Sequence, residues 1–384
     1  MRTTLRMRSI QPFHVMALLA RARELEAAGR SIIHMEIGEP DFTTPQPVVD
    51  AGLRALAEGR THYTPASGLP ALREQISGFY RQRYGCEVAP GRIIITPGAS
   101  AALQLALAVL VDPGDRVLLA DPGYPCNRNF VYLLNGEPAG IPVGARTGYQ
   151  PAVTQVAQHW SGNTVALMLA SPSNPTGTLL DGDTMQRLYD AVDRRGGGLI
   201  VDEIYHGLTY GVNAETALTV SSDIFVINSF SKYFGMTGWR LGWLVAPQAY
   251  VPQIDKLAQN LYLAAPTVSQ YAALAAFEPK NLAILETRRG EFRMRRDYLL
   301  PALREIGFDI PVNPAGAFYL YAGCGRFADD SFAFCERLLE EAGVAVTPGI
   351  DFGNNRPERH VRFAYTTSLE NLEEGVRRLR VCCG

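Results

Sequence analysis

The chain has 384 residues, 47% hydrophobic and 19% charged, enough apolar matter for one large domain with a smaller companion and too little charge for a disordered or coiled-coil protein. A net charge of −2 excludes the broad electropositive face that nucleic acid or an anionic membrane would need, and no apolar stretch reaches membrane-spanning length. Six cysteines (Cys86, Cys126, Cys324, Cys335, Cys382, Cys383) show no metal-ligand spacing, so no metal site is expected, and they predict free thiols in a reducing cytoplasm.

Residues 1–30 carry an amphipathic helical pattern (Phe13, Met16, Leu19, Leu25) that stops at Gly29, and Arg21 and Arg23 break its apolar run too early for a secretory signal. From about residue 90 to 245 one theme recurs: a short apolar run, a loop of small and polar residues, then a helical pattern. The runs lie at 93–95, 117–119, 165–169, 199–201, 224–227 and 241–245. Their hydrophobicity is continuous rather than alternating, as a strand covered on both faces requires. With helical stretches at 101–110 and 184–195 between them, they predict an α/β fold whose large cofactor-binding domain, residues 45–282, holds a mainly parallel sheet flanked by helices. A long helix over 282–306 stops at Gly307. Strands at 317–321, 344–346 and 360–365 and a helix at 331–342 then predict a smaller α+β domain built from both chain ends, 1–44 and 283–384.

Each apolar run ends in a polar loop. Thr96 to Ser100 reads TPGAS, Asp121 to Pro125 reads DPGYP, Ser171 to Gly177 reads SPSNPTG, Asp202 to Tyr205 reads DEIY, and Asn228 to Lys232 reads NSFSK. Ligands of open α/β sheets bind beyond the carboxyl ends of the strands, so these loops are expected to converge on one site. Of 36 basic residues only three are lysines, Lys232, Lys256 and Lys280. A buried lysine amine, unlike a guanidinium, can lose its proton and form an imine with a carbonyl, which singles out Lys232. Gly98, Ala99 and Ser100 open a helix and would face an anion, with Ser229 and Arg240 as a second anion clamp. Asp202, just past a buried strand, would hold a ring nitrogen protonated; Tyr205 offers a hydroxyl and Tyr124 an aromatic face. Together these describe a flat ring with a basic nitrogen, a carbonyl and a phosphate: pyridoxal 5′-phosphate. Neither a P-loop nor a dinucleotide fingerprint is present, and the S-x-x-K of Ser229 to Lys232 lacks the K-T-G of serine acyl-transfer enzymes.

These motifs, together with Gly38 to Phe42 (GEPDF), His62 to Gly68 (HYTPASG), Ser229 to Arg240 (SFSKYFGMTGWR) and His360 to Arg362 (HVR), occur in family order over nearly the whole chain, which therefore resembles a class I/II pyridoxal-phosphate-dependent aminotransferase of the aspartate aminotransferase fold, fold type I. The resemblance implies a Schiff base at Lys232, Asp202 at the pyridinium nitrogen, Asn174 and Tyr205 on the ring's phenolic oxygen, and Tyr124 stacked on the ring. It implies a phosphate held by Ala99, Ser100, Ser229 and Arg240, with Tyr63 of the partner subunit completing the site in a homodimer. Arg362 would clamp the substrate carboxylate, aided by Asn174 and Gly38. The implied reaction is ping-pong transfer of an amino group from an amino acid to a 2-oxo acid, with C–S β-elimination as the alternative on the same scaffold. In an aspartate-specific branch of the family a lysine stands where this chain has Ser100. Its absence directs expectation to neutral or aromatic donors, with 2-oxoglutarate as acceptor.

Overall fold

The computed structural model describes residues 3–384, so Met1 and Arg2 of the expected N-terminal segment lie outside the described residues. Its strands are β1 (Ile33–His34), β2 (Ile93–Thr96), β3 (Arg116–Asp121), β4 (Glu137–Pro142), β5 (Thr164–Ala170), β6 (Gly198–Asp202), β7 (Phe225–Ser229), β8 (Gly242–Val245), β9 (Tyr319–Gly323), β10 (Val344–Ala345), β11 (Thr347–Pro348) and β12 (His360–Ala364). Seven of them form one sheet in the order β2-β8-β7-β6-β5-β3-β4; only β8 runs against its neighbours. The apolar runs are continuous because alternate side chains enter two separate cores. Leu167, Leu169, Leu199, Val201 and Val226 pack on one side, Ala166, Met168, Ile200, Phe225 and Ile227 on the other.

The register brings Ala170 level with Asp202, and Asp202 level with Ile227, so the loops leaving β5, β6 and β7 start side by side. Helix Ala99–Ala108 packs across β7 and β8 with Ala102, Leu105 and Ala106 fully buried, and its first turn reaches the same rim of the sheet. It comes this close because β8 begins with glycine. A Cβ on Gly242 would lie 2.8 Å from the Ala99 nitrogen, 2.8 Å from the Gly98 carbonyl carbon and 2.9 Å from the Asn228 oxygen, all of them backbone.

A second group of strands flanks this layer. The antiparallel sheet β11-β12-β9 has Arg362 on its central strand, opposite Thr347 on one side and Tyr321 on the other. The pair β1-β10 runs parallel. The N-terminal helix His14–Ala27 packs on β10 and β11, and helix Pro279–Ile306, closed by Gly307 at φ +114°, packs on helix Leu369–Cys383.

Three elements differ from expectation. Strand β4, with Pro138, Gly140 and Pro142, gave no sequence signal, but it sits at the sheet's edge, where a missing N–H leaves no ladder bond unmade. The strand expected at 317–321 begins at Tyr319 because Ala317 has φ +58°, which an extended ladder excludes. The helix expected over 331–342 is α-helical for Ser331–Arg337 and widens into a π turn over Leu338–Ala342.

Gly242→Ala should therefore lower stability by about 1–3 kcal/mol, the usual cost of overpacking where only backbone can yield, read as a fall in the denaturant midpoint. An unchanged midpoint would show that the helix and strand are not held in contact.

Candidate active site

At the end of β6, Asp202 is buried, and its Oδ1 accepts one hydrogen bond, from the Ile204 amide at 3.0 Å. No donor among the described residues reaches Oδ2. Burial raises this carboxyl to about 6, against the opposing pull of the Ile204 amide and the Lys232 charge. Lys232 stands three residues beyond β7, and its Nζ donates to the Gly38 carbonyl at 2.5 Å. Burial, reinforced by Arg362 and Arg240 nearby, lowers its amine to about 8, although Glu39 and Asp202 pull the other way. An acid without a cationic partner and an amine made easier to deprotonate thus share one cavity of about 360 Å³.

At one end of that cavity the first turn of helix Ala99–Ala108 presents Ala99 and Ser100. Its cap, Gly98, has φ +79° and lies against the Arg240 guanidinium, in space that any Cβ would occupy. Arg240 itself adopts the left-handed conformation at φ +53°, and its Nη1 donates to the Thr237 carbonyl at 3.0 Å. Free helix-end amides beside a guanidinium form an anion site.

Tyr124 and Tyr205 line the middle, and burial holds both phenols above their ordinary range. The Tyr205 hydroxyl meets that of Tyr319 at 2.9 Å. At the far end Arg362 is 6% exposed, with its guanidinium 4.2 Å from the Tyr319 ring centre. Its Nη1 donates to Asn174 Oδ1 at 2.9 Å and its Nη2 to the Glu36 carbonyl at 2.8 Å, while its buried Nε has no partner among the described residues.

Of the expected site residues, Gly38, Ala99, Ser100, Tyr124, Asn174, Asp202, Tyr205, Lys232, Arg240 and Arg362 meet around this cavity. Two do not. Ser229 lies behind the wall, 1% exposed, its hydroxyl donating to the Leu241 carbonyl at 3.1 Å and lying 2.9 Å from Ser231 Oγ; Ser231 lines the cavity instead. Tyr63 is 82% exposed and does not line its own chain's cavity. Sequence reasoning missed Ser231, Tyr319, Thr237 and Phe352, and the cluster Phe13, Val15, Met16 and Leu19 from the N-terminal helix. The alternation Ser229, Ser231 within one motif was the available signal for the first.

The profile of the family "Aminotransferase class I and II" matches residues 30–379. The chain belongs to this family. As an aminotransferase it uses pyridoxal 5′-phosphate and has the fold read from its sheet. It is 39% identical over 378 residues to (5-formylfuran-3-yl)methyl phosphate transaminase of Methanocaldococcus jannaschii, covering 98% of each chain. It is 38% identical over 372 residues to valine–pyruvate aminotransferase of Mycobacterium tuberculosis, covering 96% of each. The solved aspartate aminotransferase of Thermus thermophilus with maleate superimposes at a TM-score of 0.94, with 33% identity and all of both chains covered. These relatives are named as aminotransferases, and nothing found favours the elimination alternative.

The aminotransferase cavity suits its cofactor on structural grounds. The open Asp202 oxygen calls for a cationic N–H, the helix-end amides with Arg240 call for a phosphate, and the low amine of Lys232 calls for a carbonyl. In cofactor-free protein, acylation of Lys232 by an amine-directed reagent should reach half its plateau near pH 8, because the amine is protonated and inert below that value and neutral above it. A midpoint near the 10.5 of an ordinary lysine would contradict the site described.

Proposed function

We propose that this aminotransferase takes the amino group from amino acids with apolar or aromatic side chains. The observation that supports this is the substrate end of the cavity. Phe13, Val15, Met16, Leu19 and Ile37 form an apolar part of its wall, and the cations lining the cavity, among the described residues, are Lys232, Arg240 and Arg362. Each of these three already has a task, so a distal carboxylate on the substrate would find no cation of this chain to meet it. The same wall favours a short acceptor such as pyruvate over 2-oxoglutarate.

When bound, pyridoxal phosphate supplies the carbonyl that takes up the amino group and the protonated ring that withdraws electrons. The chain's residues do the rest. Arg362, fixed between Asn174, Glu36 and the Tyr319 ring on the cavity wall, would receive the substrate carboxylate on its guanidinium and so orient the α-carbon. Lys232 Nζ, whose Gly38 contact keeps it within the cavity, takes and returns the α-proton as a general base with lowered basicity. Asp202 would keep the ring nitrogen charged, Asn174 and Tyr205 would hydrogen-bond the phenolic oxygen, and Tyr124 would stack on the ring. Ala99, Ser100 and Arg240, with Ser231 lining the cavity where Ser229 does not, would hold the phosphate.

The site is proposed to be completed in a homodimer by Tyr63 of the partner subunit. Tyr63 lies in an exposed apolar region with Leu53, Leu56, Leu261 and Leu263; the bond from Thr267 Oγ1 to the His62 carbonyl, 2.7 Å, joins its two segments. We further assign residues 45–282 to the large domain and 1–44 with 283–384 to the small one. Cytoplasmic residence is proposed from six cysteines in the free state, and no helix among the described residues is long and apolar enough to cross a membrane.

A donor panel tests the substrate assignment. With pyruvate as acceptor, kcat/KM for the best of valine, leucine and phenylalanine should exceed that for aspartate at least ~tenfold, as differential burial of an apolar side chain allows. Preference for aspartate would overturn it.

A further inference from the structure

We propose that Asp351 is a specificity-positioning residue: it pins the N-terminal helix as the roof of the substrate pocket and so sets how well a long apolar donor is held. The inference rests on the apolar-donor function proposed above.

Helix His14–Ala27 has Phe13 at its N-cap, a residue with no side-chain oxygen, so the helix cannot satisfy its own first amides. The acceptor comes from 337 positions away. Asp351 Oδ1 takes the His14 amide at 2.8 Å and Oδ2 the Val15 amide at 3.0 Å, and the His14 ring Nδ1 lies 2.9 Å from Oδ1. The Asp351 side chain is only 3% exposed. The helical turn fixed in this way carries Phe13, Val15 and Met16, which with Leu19 face the cavity.

Asp351 is itself rigidly mounted. Its carbonyl accepts from Arg128 Nη2 at 2.5 Å, on the helix that follows Tyr124. The next residue, Phe352, accepts from the Gly123 amide at 2.8 Å and lies with its ring centre 5.0 Å from the Arg362 guanidinium. Farther along, Asp121 takes the Asn354 amide at 2.9 Å and the Asn355 amide at 3.2 Å. One short segment is therefore bonded to the turn beneath the cofactor ring, packed on the substrate arginine, and tied to the roof through a single carboxylate. Farther along the helix, Leu18, Ala22 and Leu25 anchor it in the core, but Met16 in its first turn is 55% exposed and has little packing of its own. Removing the carboxylate frees the roof without touching the reacting atoms.

The test uses the holoenzyme with Asp351→Ala and Asp351→Asn. Steady-state kinetics with phenylalanine and alanine as donors are paired with hydrogen–deuterium exchange of amides 14–20. Loss of two caps corresponds to a weakening of about five- to thirtyfold. The expected result for Asp351→Ala is a rise in KM for phenylalanine of about tenfold, with kcat changed less than about threefold and a several-fold smaller effect on alanine, together with faster exchange at residues 14–20. Asp351→Asn, which keeps one acceptor oxygen, is expected between the two and serves if the alanine variant does not fold. Unchanged exchange, or an equal loss of kcat/KM on both donors, overturns the proposal. A wild-type enzyme indifferent to apolar donors would instead overturn the donor assignment, and the exchange result would still decide whether Asp351 holds the roof.

Discussion

A buried carboxylate with too few donors is the constraint on which the site depends. Asp202 ends a strand inside the protein and receives a single backbone amide, and burial raises its pKa to about 6. A charge in such a place is tolerated only when something cationic pairs with it. Lys232 acts on it only at a distance, since its Nζ donates to the Gly38 carbonyl rather than to Asp202. The two groups cannot satisfy each other without defeating both roles. Pyridoxal phosphate, when bound, would supply the cationic ring N–H that we propose pairs with Asp202, and would leave Lys232 free to act as an amine.

The fold serves this pairing by bringing strand ends together. Continuous apolar runs allow β5, β6 and β7 to be buried on both faces, so their polar ends emerge in one crevice. The smaller sheet brings the opposite charge logic. Arg362 sits on the middle strand of three, braced by Asn174, Glu36 and the Tyr319 ring, with one buried N–H held in reserve. Between them, the glycine at 98 lets a guanidinium approach a helix end where no other residue would fit. The functional groups come from several elements, the helix at Ala99, the ends of β6 and β7 and the strand β12, and they meet in one cavity.

Much of this was legible in the sequence because it is local. Apolar runs of three to five residues, most followed by a motif of turn-forming and reactive residues, announce both the sheet and its active edge. What escaped was set by distance or by edge position. The carboxylate that caps the N-terminal helix comes from the far end of the chain, and Phe13 gives no hint of it. Strand β4 hides behind prolines that only an edge tolerates. The exchange of Ser229 for Ser231 at the cavity wall follows from the side to which each side chain turns in the irregular stretch after β7, which residue identity alone does not report. Tyr63 is 82% exposed, and a role for it depends on the homodimer we propose.

We propose that the charge of Asp202, not merely its shape, drives turnover. Asp202→Asn keeps the size and the acceptor for the Ile204 amide but removes the anion. Single-turnover rates with a good amino donor in cofactor-loaded Asp202→Asn should fall at least about a hundredfold while the cofactor remains bound, as expected when an electrostatic stabiliser is lost from a dry site. A rate within a few-fold of wild type would contradict the account.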